Sequence, residues 1–152
     1  MITEIRDFLL LSDRLATAGQ PTSEQFADIQ AADCEIVINL VPSKNPNFLR
    51  NEPELVTELG MTYIGISVDW GSPTAQELYT FFEVMEQNRD RKLFVHCAAN
   101  KRVSAFVFLY RVLCLQIEEA DAEDDLEKIW TPEGTWHHLI CCGFSDSISL
   151  RK

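Results

Sequence analysis

Positive charge is scarce in this chain. Lys and Arg number 13 against 24 Asp and Glu in 152 residues, a formal net charge of −11. A surface of that sign repels polyanions, so nucleic acid and anionic membranes are not expected as partners. Long apolar runs are missing too. None approaches the ~20 residues that cross a bilayer. Phe8-Leu9-Leu10-Leu11, preceded by Glu4 and Asp7, is too short for a secretion signal. No C-x-x-C pair occurs, and the five cysteines (Cys34, Cys97, Cys114, Cys141 and Cys142) are odd in number. A disulfide framework is therefore not indicated, and a reduced, cytoplasmic setting is expected. Repeats, low-complexity segments and interdomain linkers are absent, so residues 1–152 read as a single domain with room for a proper core.

What is present concentrates between Lys92 and Arg111, KLFVHCAANKRVSAFVFLYR. Leu93-Phe94-Val95 reads as a short buried strand. Val103 to Arg111 is apolar and aromatic without Gly or Pro, and predicts a buried helix continuing past Leu113. Between them stand His96, Cys97, Ala98, Ala99, Asn100, Lys101 and Arg102. A strand that turns tightly into a helix leaves backbone N–H groups unpaired at the helix N-terminus, where they and the dipole make a site for an anion. A Cys at the start of such a turn feels the same field, which favours its thiolate and makes it a candidate nucleophile. Arg102 brings a guanidinium suited to gripping an oxyanion in two places. A buried structural Cys is the plain alternative, but His, Cys, Asn, Lys and Arg on one short turn are hard to explain by packing.

This stretch resembles the phosphate-binding loop of the cysteine-dependent phosphatases, the tyrosine and dual-specificity family. Their signature is His-Cys, five residues, Arg, then Ser or Thr, after a strand and before a helix. His96 and Cys97 match. The Arg falls five positions after the Cys rather than six, and the sixth is Val103. The usual Gly is replaced by Asn100, the least costly non-Gly residue at a positive φ. The expected Ser is displaced to Ser104. The shorter Cys-to-Arg spacing is also seen in rhodanese-type sulfurtransferases. The wider chain, including TAGQPTSEQF near its start, resembles a bacterial phosphatase-like family with this short loop, sometimes fused to β-lactamase-like hydrolases.

The remaining chain predicts an α/β domain. Phe8–Leu11 and Leu15–Ala18 read as short strands, and Gly19-Gln20-Pro21 as turn chemistry. Thr22 caps a helix to about Ala32, with Gln25 as its capping-box partner. Glu35–Val41 is a β-branched run expected in a parallel strand. A polar loop follows, which puts Lys44 and Arg50 within reach of an anion, although solvated loop charges are the simpler account. Pro53 begins a helix stopped by Gly60, and Met61–Val68 is the next strand. Ser72-Pro73 opens a further helix with Leu78, Phe81, Phe82 and Met85 on its apolar face. Glu118–Asp125 is strongly acidic and is expected as a solvated helix. A last helix runs from about Glu133 to Cys142, and residues 143–152 read as a loose tail. His137 with Cys141, and His138 with Cys142, share helix faces. With no third ligand in view, surface His and core Cys are a better account than a metal. The expected fold is a mainly parallel sheet of four or five strands flanked by helices, like that of the dual-specificity phosphatases.

Asp69, on the loop Asp69-Trp70-Gly71-Ser72-Pro73, follows a strand and precedes Cys97 by 28 residues. Catalytic groups in α/β folds gather at such positions. By the resemblance, a general-acid Asp sits on a loop of this kind. The resemblance then implies phosphate monoester hydrolysis through a cysteinyl-phosphate intermediate. Cys97 is the nucleophile, Asp69 the acid and base, and His96 the residue that orders the loop. Phosphate is bound by Ala98, Ala99, Asn100, Lys101, Arg102 and Val103. No cofactor or metal is implied. The partners expected are a phosphorylated protein or small molecule and an oxyanion in the loop. A sulfurtransferase carrying a persulfide on Cys97, and a non-catalytic phosphate-binding module, stand as alternatives. The short loop favours the former, and the Asp69 loop favours the phosphatase.

Overall fold

Five short strands build one sheet in the order β1-β2-β5-β3-β4: β1 (Leu9–Ser12), β2 (Leu15–Ala18), β3 (Ile36–Asn39), β4 (Thr62–Gly65) and β5 (Leu93–His96). Only the β1–β2 pair is antiparallel. The structure, a computed structural model, describes residues 1–143. Nearly all of the expected tail (144–152) and the side chain of Cys142, with its pairing to His138, lie outside the described residues. The helices are α1 (Gln25–Ala31), α2 (Glu52–Glu58), α3 (Ala75–Gln87), α4 (Lys101–Leu113), α5 (Glu119–Glu127) and α6 (Gly134–His138). A π turn, Leu139–Gly143, follows α6. The mainly parallel, helix-flanked sheet matches the expected fold.

The period of two along each strand divides the core. Ile36, Ile38, Leu93 and Val95 face one side, where they pack with Phe81, Phe82, Phe106 and Leu109 of α3 and α4. Val37, Phe94, Ala16 and Ala18 face the other, against Phe26 and Ile29 of α1 and Val56 of α2. Residues on β3 and β5 are thus buried on both faces, which explains their unbroken apolar character. The edge strand β4 is only partly covered.

Several boundaries differ from expectation. The second run ends as strand at Gly65, not Val68, although the N–H groups of Ile66 and Val68 still donate to Asn39 O and Leu40 O. Helix α3 does not open at Ser72-Pro73. Thr74 caps it, with reciprocal bonds to Glu77 of 2.9 and 3.1 Å, so Pro73 lies just before the cap. The reciprocal Thr22–Gln25 bonds form, at 2.9 and 3.3 Å, but Thr22 is not the helix cap: α1 begins at Gln25 behind Glu24, which makes no side-chain cap bond, so the pair closes the turn ahead of the helix. The turn after β5 is shorter than read: Lys101 and Arg102 already belong to the first turn of α4. Strands β2, β3 and β5 end in register, with Ala18 and Asn39 both opposite His96. Their following loops meet at one edge of the sheet, the usual place for a site in such folds. Among the described residues, no helix is long and apolar enough to cross a membrane.

Candidate active site

The loop between β5 and α4 is only four residues, Cys97 to Asn100. Asn100 closes it with φ 63°, the left-handed conformation that a shortened loop demands. Its side chain is buried and turns inward, with Nδ2 donating to Asp7 O at 2.9 Å and Thr17 Oγ1 at 3.0 Å. Asn100 thus ties the loop to the amino-terminal strands. It makes no side-chain cap on α4, and no acid occupies the first turn of that helix. The first N–H groups of a 13-residue helix are therefore left without a side-chain partner at this end.

A pocket of about 220 Å³ opens there, lined by Cys97, Ala98, Ala99, Lys101, Arg102 and Trp70. Five of the residues expected from the sequence meet in it. Asn100 and Val103 do not line it, because the first points inward and the second is wholly buried in the core. Cys97 is 1% exposed at the pocket floor. Arg102 is 6% exposed, and its Nη1 donates to Val68 O at 3.3 Å. It has no carboxylate partner among the described residues. A guanidinium has five N–H donors, and an unpaired buried charge is strongly unfavourable. Arg102 thus brings a guanidinium without a carboxylate partner to the pocket lining. Lys101 is exposed and lies over Trp130, 5.5 Å from the ring centroid. The displaced Ser104 does not face the pocket. Its hydroxyl donates to Lys101 O and accepts from Trp130 Nε1, each at 3.0 Å.

Asp69 is exposed on the adjoining loop. Its Oδ2 accepts from Ser72 Oγ at 2.8 Å, and it lines a neighbouring pocket with Lys44, Asn45, Ser67 and Glu77. The next residue, Trp70, is the one that reaches the Cys97 pocket. All three tryptophans of the chain assemble there. Trp70 stacks on Trp136 at 5.4 Å and 27° and lies 5.5 Å from Trp130, while Trp136 Nε1 donates to Trp70 O at 2.8 Å. Trp70 is 44% exposed and forms a pocket wall. His137 and Cys141 lie on a separate surface, with Sγ 3.5 Å from Nε2.

Beneath the loop the structure adds contacts that no local pattern in the sequence specifies. His96 is fully buried. Its Nδ1 lies 3.2 Å from Cys97 O and its Nε2 lies 2.6 Å from Oε2 of an equally buried Glu52. Gln20 Nε2 donates to the other oxygen of Glu52 at 3.1 Å, and the Gln20 N–H donates to Ala98 O at 3.0 Å. The Gly19-Gln20 turn is therefore more than turn chemistry, because it holds the loop. A Cβ on Gly19 would lie 2.7 Å from Ala98 O and 3.2 Å from Ala99 Cα, both backbone atoms. Gly19→Ala should displace the loop, at a stability loss of about 1–3 kcal/mol, and shrink the melting-temperature rise that oxyanions produce. An unchanged rise would show that the loop tolerates the intrusion.

The comparisons with known proteins agree with this geometry. A family model described as DSP-PTPase phosphatase fused to NAD⁺ kinase matches residues 10–138. A crystal structure of a DUF442 candidate phosphatase from Shewanella putrefaciens CN-32 is 31% identical, with TM-score 0.84, covering 95% of each chain. The core catalytic domain of the PP-IP phosphatase SIW14 from S. cerevisiae, in complex with citrate, has TM-score 0.78 at 13% identity, covering 97% of this chain and 91% of that one. PTPMT1 in complex with PI(5)P has TM-score 0.77 at 16% identity, covering 95% and 98%. The last two likenesses concern the fold alone. No curated protein matches the chain. The chain belongs to the family described as DSP-PTPase phosphatase fused to NAD⁺ kinase, and so to the cysteine-dependent phosphatases of dual-specificity type.

Proposed function

We propose that this phosphatase hydrolyses phosphate monoesters through a phosphoryl group carried on Cys97. The observation that supports this best is Arg102, a buried guanidinium with a single carbonyl acceptor, beside Cys97 in one pocket. The substrate's phosphate oxygens accept from Arg102 and from the loop and helix amides. Cys97 Sγ attacks phosphorus as the thiolate. The S–P bond forms, the bond to the ester oxygen breaks, and Asp69 gives that oxygen its proton. Water then attacks the phosphocysteine, Asp69 takes its proton, and the S–P bond breaks to return thiolate and inorganic phosphate. For this role the Asp69 side chain must swing from Ser72 into the pocket, a motion its exposed loop allows. Trp70 supplies a flat wall for the group that bears the phosphate. No cofactor takes part.

The anion site is tested by thermal unfolding with phosphate or tungstate. At a ligand concentration of ~100 Kd the native state gains about 2.7 kcal/mol by mass action. Arg102→Ala should lose this gain, while Lys101→Ala, whose ammonium rests over Trp130, should keep most of it. Equal gains in the wild type and in Arg102→Ala would move the anion elsewhere.

A further inference from the structure

The buried pair beneath the loop has a proton count that decides which way the loop amides point. Cys97 O can only accept a hydrogen bond. The imidazole nitrogen 3.2 Å from it, Nδ1 of His96, must therefore carry a hydrogen. On the other side Nε2 and Glu52 Oε2 are 2.6 Å apart, and one proton lies between them. Either Glu52 is ionised and His96 is an imidazolium, or Glu52 is protonated and donates to a bare Nε2. In both states Nδ1 keeps its hydrogen. A methyl at position 52 has no such effect. With nothing to hold Nε2, His96 is free to carry its hydrogen there, Nδ1 would be bare, and two lone pairs would face each other at Cys97 O. An amide would keep the pattern, because its oxygen would accept from Gln20 Nε2 and its NH2 would donate to His96 Nε2.

The direction of Cys97 O matters because its peptide is trans and planar, as no cis bond occurs among the described residues. In a trans peptide the C=O and the following N–H point in opposite directions. A Cys97 carbonyl turned toward buried His96 sends the Ala98 N–H the other way, to the side where Ala98 lines the pocket. The next peptide is held alike: Ala98 O accepts from the Gln20 N–H at 3.0 Å, which turns the Ala99 N–H away from Gln20. Gln20 also donates to the free oxygen of Glu52 at 3.1 Å, so both anchors converge on one carboxyl group.

We propose that Glu52 is a positioning residue for phosphoryl transfer: by holding His96 with a hydrogen on Nδ1, it aims the Ala98 amide at the bound phosphate. It acts from 44 residues away in sequence, on α2, without touching substrate. The role deepens the phosphatase reading and rests on it. It also explains how a loop one residue short of the usual phosphatase spacing keeps an amide directed at the anion.

The test is a double-mutant cycle of Glu52→Ala and His96→Asn. The Asn amide replaces the Nδ1 donor without needing a carboxylate. Tungstate affinity, and kcat and KM for an aryl phosphate, are measured on all four proteins. Glu52→Ala removes the group that holds Nε2 and should weaken tungstate roughly tenfold or more and lower kcat more than it raises KM. In the His96→Asn background the same substitution should change neither quantity beyond roughly twofold. A tungstate affinity unchanged by Glu52→Ala, or a loss undiminished in the His96→Asn background, overturns the proposal. If Glu52→Ala does not fold, the ¹⁵N shifts of His96 in the wild-type protein decide. A protonated Nδ1 at neutral pH supports it, and a bare Nδ1 with a protonated Nε2 overturns it. Tungstate binding reports on the loop even in a protein without turnover. A failed hydrolysis assay therefore rejects the phosphatase reading and leaves the positioning claim to be judged by affinity alone.

Discussion

Cys97→Ser should reduce hydrolysis of an aryl phosphate by on the order of 10⁴-fold or more, as loss of a nucleophile does elsewhere, while tungstate still binds. The two results separate because they use different atoms. In the proposed site the oxyanion is held by amides and by Arg102, none of which changes, and Ser is smaller than the Cys it replaces at a nearly sealed position. Wild-type protein quenched in acid during turnover should carry the phosphoryl group on the Cys97 peptide. Cys34 cannot take over. It lies in the core on the α1 and α2 side of the sheet, and burial pushes its thiol up. A Cys97→Ser protein with undiminished turnover would end the cysteinyl-phosphate assignment. Thiocyanate formed from thiosulfate and cyanide, without phosphate release from esters, would shift the assignment to sulfur transfer.

Asp69→Asn should divide substrates by their leaving groups. An alkoxide is a poor leaving group and needs a proton as its bond to phosphorus breaks, whereas a nitrophenolate does not. Loss of a general acid typically lowers the rate ~10²–10⁴-fold. Hydrolysis of an alkyl phosphate should fall by that much, and hydrolysis of an activated aryl phosphate far less. Folding should survive, because Asp69 is exposed and its one side-chain bond among the described residues is to Ser72. The companion variant Ser72→Ala frees Asp69 from that bond and should leave alkyl hydrolysis at least as fast as in the wild type. Asp69→Asn indistinguishable from the wild type on alkyl substrates would mean that the acid is another group.

Much of this molecule was legible in local sequence. Short apolar and β-branched runs located all five strands, and helical spacing located the buried faces of α1 and α3, because each signal lies within a few residues. The strand–turn–helix around Cys97 was legible for the same reason, down to the positive φ of Asn100. Errors fell at element ends. Pro73 looked like a first-turn residue, but the Thr74–Glu77 capping box, two bonds made and none lost, begins the helix just after it.

The chain's own order of residues therefore determined a mainly parallel α/β sheet, a strand-to-helix turn that carries a Cys and an Arg, and an acidic body around one basic spot. Tertiary structure alone decided how that turn is held. Glu52 stands before a proline at the start of a short helix, where nothing in the local sequence marks its partner. Its contact with His96 spans 44 residues and leaves no periodic trace. Gly19 reads as a turn until Ala98 O is found where its Cβ would be. The three tryptophans are scattered in sequence and stack only because the loop after β4 and the segments after α5 close over the same strand ends. The direction of the Asp69 side chain was likewise beyond the sequence. An exposed carboxylate takes whichever local donor is nearest, here Ser72, and sequence position specifies the loop but not the rotamer.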